Sequence, residues 1–289
     1  MLEHIRKISM LQVKTTALVL DKESGYNDEG KIFLFTRRFG LLKVVASGVY
    51  KPGASLSAWT EPPVRVTAEI TLREESFEFG RLLTLSPRNF FYHIRSSYGN
   101  MSWCYFYTTV LSNFLPFGVK SEKMFRLLGE VLDYQPSWES AEKRDLNFAY
   151  FLIKFLETEG ICSGFGHCIV CGKDFGQNET AYFASGEQGL LCESCSREIA
   201  RQKAQALGQN FLSDNTSLSF LTALPQGKNL RLPGGLLRIK PEERAVLAAC
   251  EKGGDLKTVY ANIFSRPKIN DQVLAKARNF LLIFLAPLL

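Results

Sequence analysis

The stretch Cys168–Cys195 reads CIVCGKDFGQNETAYFASGEQGLLCESC and carries two Cys-x-x-C pairs, Cys168/Cys171 and Cys192/Cys195, with twenty residues between them. A Cys-x-x-C turn offers two sulfurs to one ion with little chain strain. A second pair at this distance completes a tetrahedron around Zn2+. Gly172 follows the first pair, where a tight knuckle needs a residue free to take positive φ. Between the pairs, Ala181 and Phe183 alternate weakly with Tyr182 and Ala184, and Gly186 and Gly189 bracket a turn. A β-hairpin joining two knuckles is therefore expected. Four thiolates leave no open coordination position, so the predicted zinc, one per chain, is a staple and not a catalytic metal.

Composition sets the setting of that staple. A chain of 289 residues is long enough for two or three domains with their own cores. Net charge is +6, but unevenly spread: residues 1–88 hold 13 basic and 10 acidic groups, 89–159 hold 7 and 8, and 160–289 hold 15 and 11. Zinc on four thiolates would remove about half of the last excess, which leaves the amino-terminal part as the better anion-binding face. Cysteines number seven, an odd count; Cys104, Cys162 and Cys250 lie outside the double pair. Cys104 in an aromatic run and Cys250 in an Ala-rich stretch read as small buried hydrophobes. MLEHIRKISMLQV has no continuous apolar segment, and FLLIFLAPLL, ten residues long, is too short to span a bilayer. A metal framework in a reducing cytosol fits better than a disulfide framework, and the chain reads as cytoplasmic.

Upstream of the cysteines the pattern changes period once. Thr15–Leu20, Lys31–Thr36, Leu41–Ala46, Pro63–Leu72 and Phe77–Leu85 read as five strands, separated by the turn Arg37-Arg38-Phe39-Gly40, the Gly/Pro/Ser-rich loop 47–57 and a hairpin link at 73–76. Five short strands in this length make a small barrel, an OB-fold or an SH3-like one. From Ser86 aromatics fall at helical spacing through 89–116, ending at Pro116-Phe117-Gly118. Further helices are expected from Ser121 to Leu132 and from Asp145 to Glu159. Beyond Cys195, helices are expected over 196–212, from Pro241 to Glu251, Asp255 to Phe264 and Asn270 to Phe284, with a looser stretch at 227–240. The fold class is thus α+β and multidomain. Residues 1–86 form the barrel, 87–160 a helical bundle, 161–200 the four-cysteine hairpin, and 201–289 closing helices that pack with 87–160 as one helical domain.

No constellation for catalysis emerges. His4, His93 and His167 are scattered, no Gly-rich loop leads into Lys-Ser/Thr, and the His-x-Glu…Pro-Cys-x-x-Cys pattern of deaminases is missing. The residues describe a binding protein. For the barrel, Arg37, Arg38, Lys43, Lys51 and Arg65 are the candidates for phosphate contacts, and Tyr26, Phe39, Tyr50 and Trp59 for stacking platforms.

The order of barrel, helices, embedded cysteine knuckle and closing helices resembles the RecO family of bacterial recombination mediators. The strings that carry the resemblance are ALVLD...YNDEGKIFLFTRRFGLLKVVASGVYK at Ala17–Lys51, FLETEGICSGFGHCIVCG at Phe155–Gly172 and GLLCESC at Gly189–Cys195. The resemblance implies an amino-terminal OB-fold and a mainly helical domain with zinc. It implies binding of single- and double-stranded DNA, annealing of complementary strands and help in loading RecA onto DNA coated with single-strand binding protein. RecR and the acidic, hydrophobic tail of single-strand binding protein are the implied partners, and the nucleoid the place of work. In SGVYKPGAS, after the third strand, Lys51 is the only basic residue where a run of them is expected, which shifts weight to Arg37 and Arg38 or to the basic carboxy-terminal helices. Two other classes fit the same residues: an RNA-processing or RNA-modifying zinc protein with an OB domain, and a protein-docking scaffold.

Overall fold

Val64–Arg73 shows how the barrel is built. Its side chains alternate, with Val64, Val66, Ala68, Ile70 and Leu72 fully buried and Arg65, Thr67, Glu69 and Thr71 turned the other way. That is the period of two of a strand with one face on a core. A computed structural model describes residues 10–25, 29–73, 76–161, 164–184, 189–206 and 236–285. His4, Tyr26, Cys162, residues 207–212 and most of the stretch 227–240 lie outside them. Five strands, β1 (Met10–Ser24), β2 (Glu29–Thr36), β3 (Gly40–Ser47), β4 (Val64–Arg73) and β5 (Ser76–Asn89), close into a barrel in the order β1-β2-β3-β5-β4. The long first strand serves two neighbours: Met10–Val19 pairs with β4, and Ala17–Ser24, bulged between Val19 and Asp21, pairs with β2. The bulge bends the strand around the barrel corner. Closure is parallel, through Lys43–Val45 on β3 against Phe79–Arg81 on β5.

The barrel has two apolar surfaces. Ala17, Val19, Ile32, Leu34, Leu42 and Val44 fill its interior with the β4 residues. Phe33, Phe35 and Leu41 are as deeply buried but point outward. Phe33 meets the ring of Phe117 at 6.2 Å and Phe35 that of Phe125 at 5.6 Å. Helices α2 (Tyr92–Arg95), α3 (Tyr98–Phe114) and α4 (Glu122–Asp133) and a 3-10 turn, Gln135–Trp138, therefore belong with the barrel, after the short α1 (Ser55–Trp59). The chain divides into compact units 1–139 and 140–289, so the division falls inside 87–160 and not at its ends. An outward apolar face on the barrel needs these helices as cover.

Two local features differ from the sequence expectation. Strand β5 runs through Pro87 to Asn89, with Pro87 opposite Val66. The continuous helix expected over 89–116 starts only at Tyr92, after Phe91 takes a left-handed φ of 49° with its N–H on the Asn89 side-chain oxygen, and it is broken into α2 and α3 at Ser97, whose backbone is extended at φ −138° and ψ 131°.

In the second unit α5 (Ala141–Thr158) is buried on nearly all sides, from Leu146 and Phe148 to Phe155 and Leu156. It packs against α7 (Pro241–Lys252), α8 (Leu256–Phe264) and α9 (Asp271–Leu285), the arrangement of a central helix. Its one buried carboxylate, Asp145, is met by Arg278 at 2.8 Å. The cysteine hairpin consists of β6 (Ala181–Ala184) and β7 (Leu190–Leu191), followed by α6 (Glu193–Ala206); a third strand, β8 (Leu236–Ile239), pairs with β6. No helix among the described residues is long and apolar enough to cross a membrane.

Candidate metal centre and nucleic-acid interface

The first knuckle is a tight turn. Cys168 accepts from the Gly172 N–H at 2.9 Å and donates its own N–H to Lys173 at 2.8 Å, with Gly172 at φ 72°. The second pair brackets the first turn of α6, where the Ser196 N–H donates to Cys192 at 2.9 Å. The hairpin β6–β7 brings them together: the Ile169 N–H donates to Leu190 at 3.0 Å, and Cys168, Tyr182, Leu191, Cys192 and Leu236 form one small core. All four sulfurs lie within 4.8 Å of one another, Cys171 and Cys192 at 3.7 Å. A tetrahedral four-thiolate site with bonds of about 2.3 Å has sulfur–sulfur edges of about 3.8 Å, so the set is compatible with a metal and far too open for disulfides.

The protons of this set are unevenly held. Burial opposes ionisation of the inner sulfurs. Yet the amides of Cys171, Cys192 and Val170 hold Cys168 below its ordinary value, and the Ser194 hydroxyl and Cys195 amide draw Cys192 down to about 6. Cys195 is pushed up to about 12, by burial first and then by hydrogen bonds with the other sulfurs. The start of a helix favours thiolates through its free N–H groups and its dipole. Cys104 and Cys250 are buried single thiols away from this set, and burial raises both.

One residue that holds the knuckle went unread in the sequence. Arg244 on α7 is 6% exposed. It donates to the carbonyls of Gly176, Gln177 and Glu179 and lies over the Phe175 ring, its carbon 5.2 Å from the centroid. It clamps the far loop of the hairpin to the helices. Only the partner distance in three dimensions reveals this, since Arg244 follows a stretch that reads as an ordinary helix start.

On the barrel, the five basic candidates do not gather at one place. Arg37 and Arg38 form the β2–β3 turn and Lys51 follows the other end of that ladder, which runs from Thr36 opposite Gly40 to Glu29 opposite Ser47. Seven steps of about 3.4 Å put the two ends about 24 Å apart. Lys43 sits between, 4.9 Å from the centre of the Phe33 ring and 3.6 Å from the Glu23 carboxylate. Arg65 is bidentate to Asp133, at 3.1 and 2.8 Å, and covers the Phe91 ring. Arg37 pairs with Glu122 at 3.1 Å, and Arg38 lies over Phe39; both are exposed, as is Lys51. Of the aromatic candidates, Phe39 and Trp59 pack partly buried against the barrel core, whereas Tyr50 is 37% exposed with Lys22 5.3 Å from its ring centre. An aromatic that the strand pattern did not single out is Phe79, 55% exposed and in register with Lys43 across the parallel closure.

Comparison with known proteins bears on the whole arrangement. The family model for the carboxy-terminal part of recombination protein O matches residues 95–208. A DNA repair protein RecO of Geobacter metallireducens is 26% identical over 206 residues, covering 69% of this chain and 80% of its own. The protein of the same name from Alkaliphilus metalliredigens is 24% identical over 186 residues, covering 63% and 72%. That from Syntrophomonas wolfei is 24% identical over 195 residues, covering 66% and 72%. The chain is thus similar to proteins named DNA repair protein RecO over about two thirds of its length, and to the carboxy-terminal model of recombination protein O over residues 95–208.

Proposed function

We propose that this protein is a DNA repair and recombination mediator. It binds single- and double-stranded DNA, anneals complementary strands and, together with RecR, helps load RecA onto DNA coated with single-strand binding protein, whose tail it recognises. The observation that carries this reading is the similarity to RecO proteins along 69% of the chain. The barrel supports it. We read the strand order β1-β2-β3-β5-β4 with a parallel closure as an OB-fold, a frame that binds single strands by joining cations to stacking platforms. Arg37, Arg38, Lys43, Lys51 and Arg65 are its proposed phosphate contacts; Arg37, Lys43 and Arg65 each already meet a carboxylate.

The four cysteines are proposed to hold one structural Zn2+. Bound there, the metal would supply folding energy and no reaction step, because four thiolates close its coordination. Gly172 and the start of α6 set two sulfurs each, and Arg244 holds the intervening loop. The protein acts by binding and positioning strands, not as an enzyme. Annealing of bare complementary oligonucleotides tests this: the purified protein should speed pairing at low salt and lose that ability as salt rises. Failure to bind or pair DNA, with preference for RNA, would favour an RNA-processing role instead.

A further inference from the structure

The first unit concentrates positive charge where no single stretch of sequence does. The β2–β3 turn supplies Arg37 and Arg38, and the entry to α4 supplies Lys120, Lys123 and Arg126; all five are exposed. Backbone contacts stitch the two segments together. The Gly118 N–H donates to Leu41 at 2.8 Å, and Leu41 and Phe117 form a parallel bridge. Gly40, at φ 69°, lies so close to Val119 that a Cβ on it would run into the Val119 carbonyl. Arg37 reaches across to Glu122 at 3.1 Å, and Lys120 approaches the same carboxylate at 3.6 Å. One carboxylate thus faces two cations directly, and the Arg37 hydrogen bond, with Lys120 and Arg126 near, holds it below its ordinary value.

The placement runs against the helix. Lys123 and Arg126 lie three residues apart on the exposed stripe of α4, and the acidic Glu130 and Asp133 come at its far end. Cations are unfavourable at the positive end of a helix dipole, and a bound anion there offsets that cost. Ser121 makes no side-chain cap to the first turn.

We infer that the β2–β3 turn and the start of α4 form one seat for a phosphodiester backbone, with Lys123 and Arg126 as contacts beyond the two turn arginines. This rests on the reading of the protein as DNA-binding and carries it into the helical part of the first unit. A lipid surface fits less well, because the apolar face of α4, including Met124, Leu127 and Leu128, is already buried and leaves nothing to insert.

Fluorescence anisotropy of the full chain with labelled oligothymidylate tests the seat. Each phosphate contact on a single strand contributes about 0.7 to the slope of log affinity against log salt, so Lys123→Ala with Arg126→Ala should make it shallower by about 1.4. Across a fourfold rise in salt, wild type should then lose about 7-fold more affinity than the double variant. Glu122→Gln, which frees Arg37 and Lys120, should tighten binding and steepen the slope, a gain that misfolding does not produce. A double variant with the wild-type slope overturns the seat and leaves DNA binding by the barrel standing. A wild type that binds no oligonucleotide removes both. A double variant that keeps its oligonucleotide slope but loses binding to phosphatidylglycerol vesicles assigns the cluster to a membrane and also overturns the seat.

Discussion

Gly40→Ala should be one of the costliest methyl additions in the first unit. Gly40 closes the β2–β3 turn at φ 69°, a left-handed conformation that costs an L-residue about 1–2 kcal/mol. The added Cβ would also meet the carbonyl of Val119 and the nitrogen of Lys120, all backbone. A side chain can rotate away from such a contact. A backbone pinned by the Gly118–Leu41 hydrogen bond must shift as a unit, at about 1–3 kcal/mol more. The expected loss is roughly 2–5 kcal/mol. Gly48 supplies the control, because its φ is 77° and a methyl there would meet nothing within 4 Å. Gly48→Ala should cost only the backbone share, about 1–2 kcal/mol. Urea unfolding of both variants, with unchanged m-values, reads the difference directly. Equal losses would refute the close approach of the turn to Val119, and with it the joint placement of Arg37 and Lys123.

Three further outcomes follow from the second unit. Cys171 is exposed, so Cys171→Ser should cost within about 0.5 kcal/mol if it held no metal; we expect a much larger fall in melting temperature than for Cys104→Ala, with the single metal per chain lost on elemental analysis. Arg244→Met should destabilise by about 1–3 kcal/mol in urea, since it takes the guanidinium donor from the buried side of the Gln177 and Glu179 carbonyls, while the Gly176 carbonyl keeps the Glu179 N–H; an unchanged midpoint would count against the clamp. Asp255 caps α8 by accepting from the Thr258 N–H at 2.7 Å, and that hydrogen bond holds its carboxyl below the ordinary 3.8. Its folded value is depressed, so its stabilisation is present above pH 3.8 and fades as pH falls through the lower folded value. The melting temperatures of wild type and Asp255→Ala should therefore differ at neutral pH and converge in strong acid.

The parts that were legible in the sequence are those decided locally. Val64–Arg73 alternates at every step, so its strand and inward face could be read without a partner. The cysteine knuckles follow from Cys-x-x-C spacing and from Gly172, and the hairpin between them from its turn glycines. What escaped depends on distant partners. The parallel closure of Lys43–Val45 on Phe79–Arg81, which exposes Phe79 beside Lys43, joins segments some 36 residues apart. Strand β8 is four residues long and gains its identity only by pairing with β6. Helical spacing through 89–116 was real, but the left-handed Phe91 delays its start and the extended backbone at Ser97 breaks it. The unit boundary at Glu139 was hidden because the outward faces of Phe33 and Phe35 look like ordinary strand residues until Phe117 and Phe125 cover them.

Annealing of complementary strands already coated with single-strand binding protein tests the mediator reading most directly, since simple cationic binding does not pass through that coat. The protein should pair coated strands faster than they pair alone, and a peptide carrying the acidic, Phe-ending tail should compete that activity away. Coated strands that stay unpaired, from a protein that also fails to bind the tail peptide, would contradict the account.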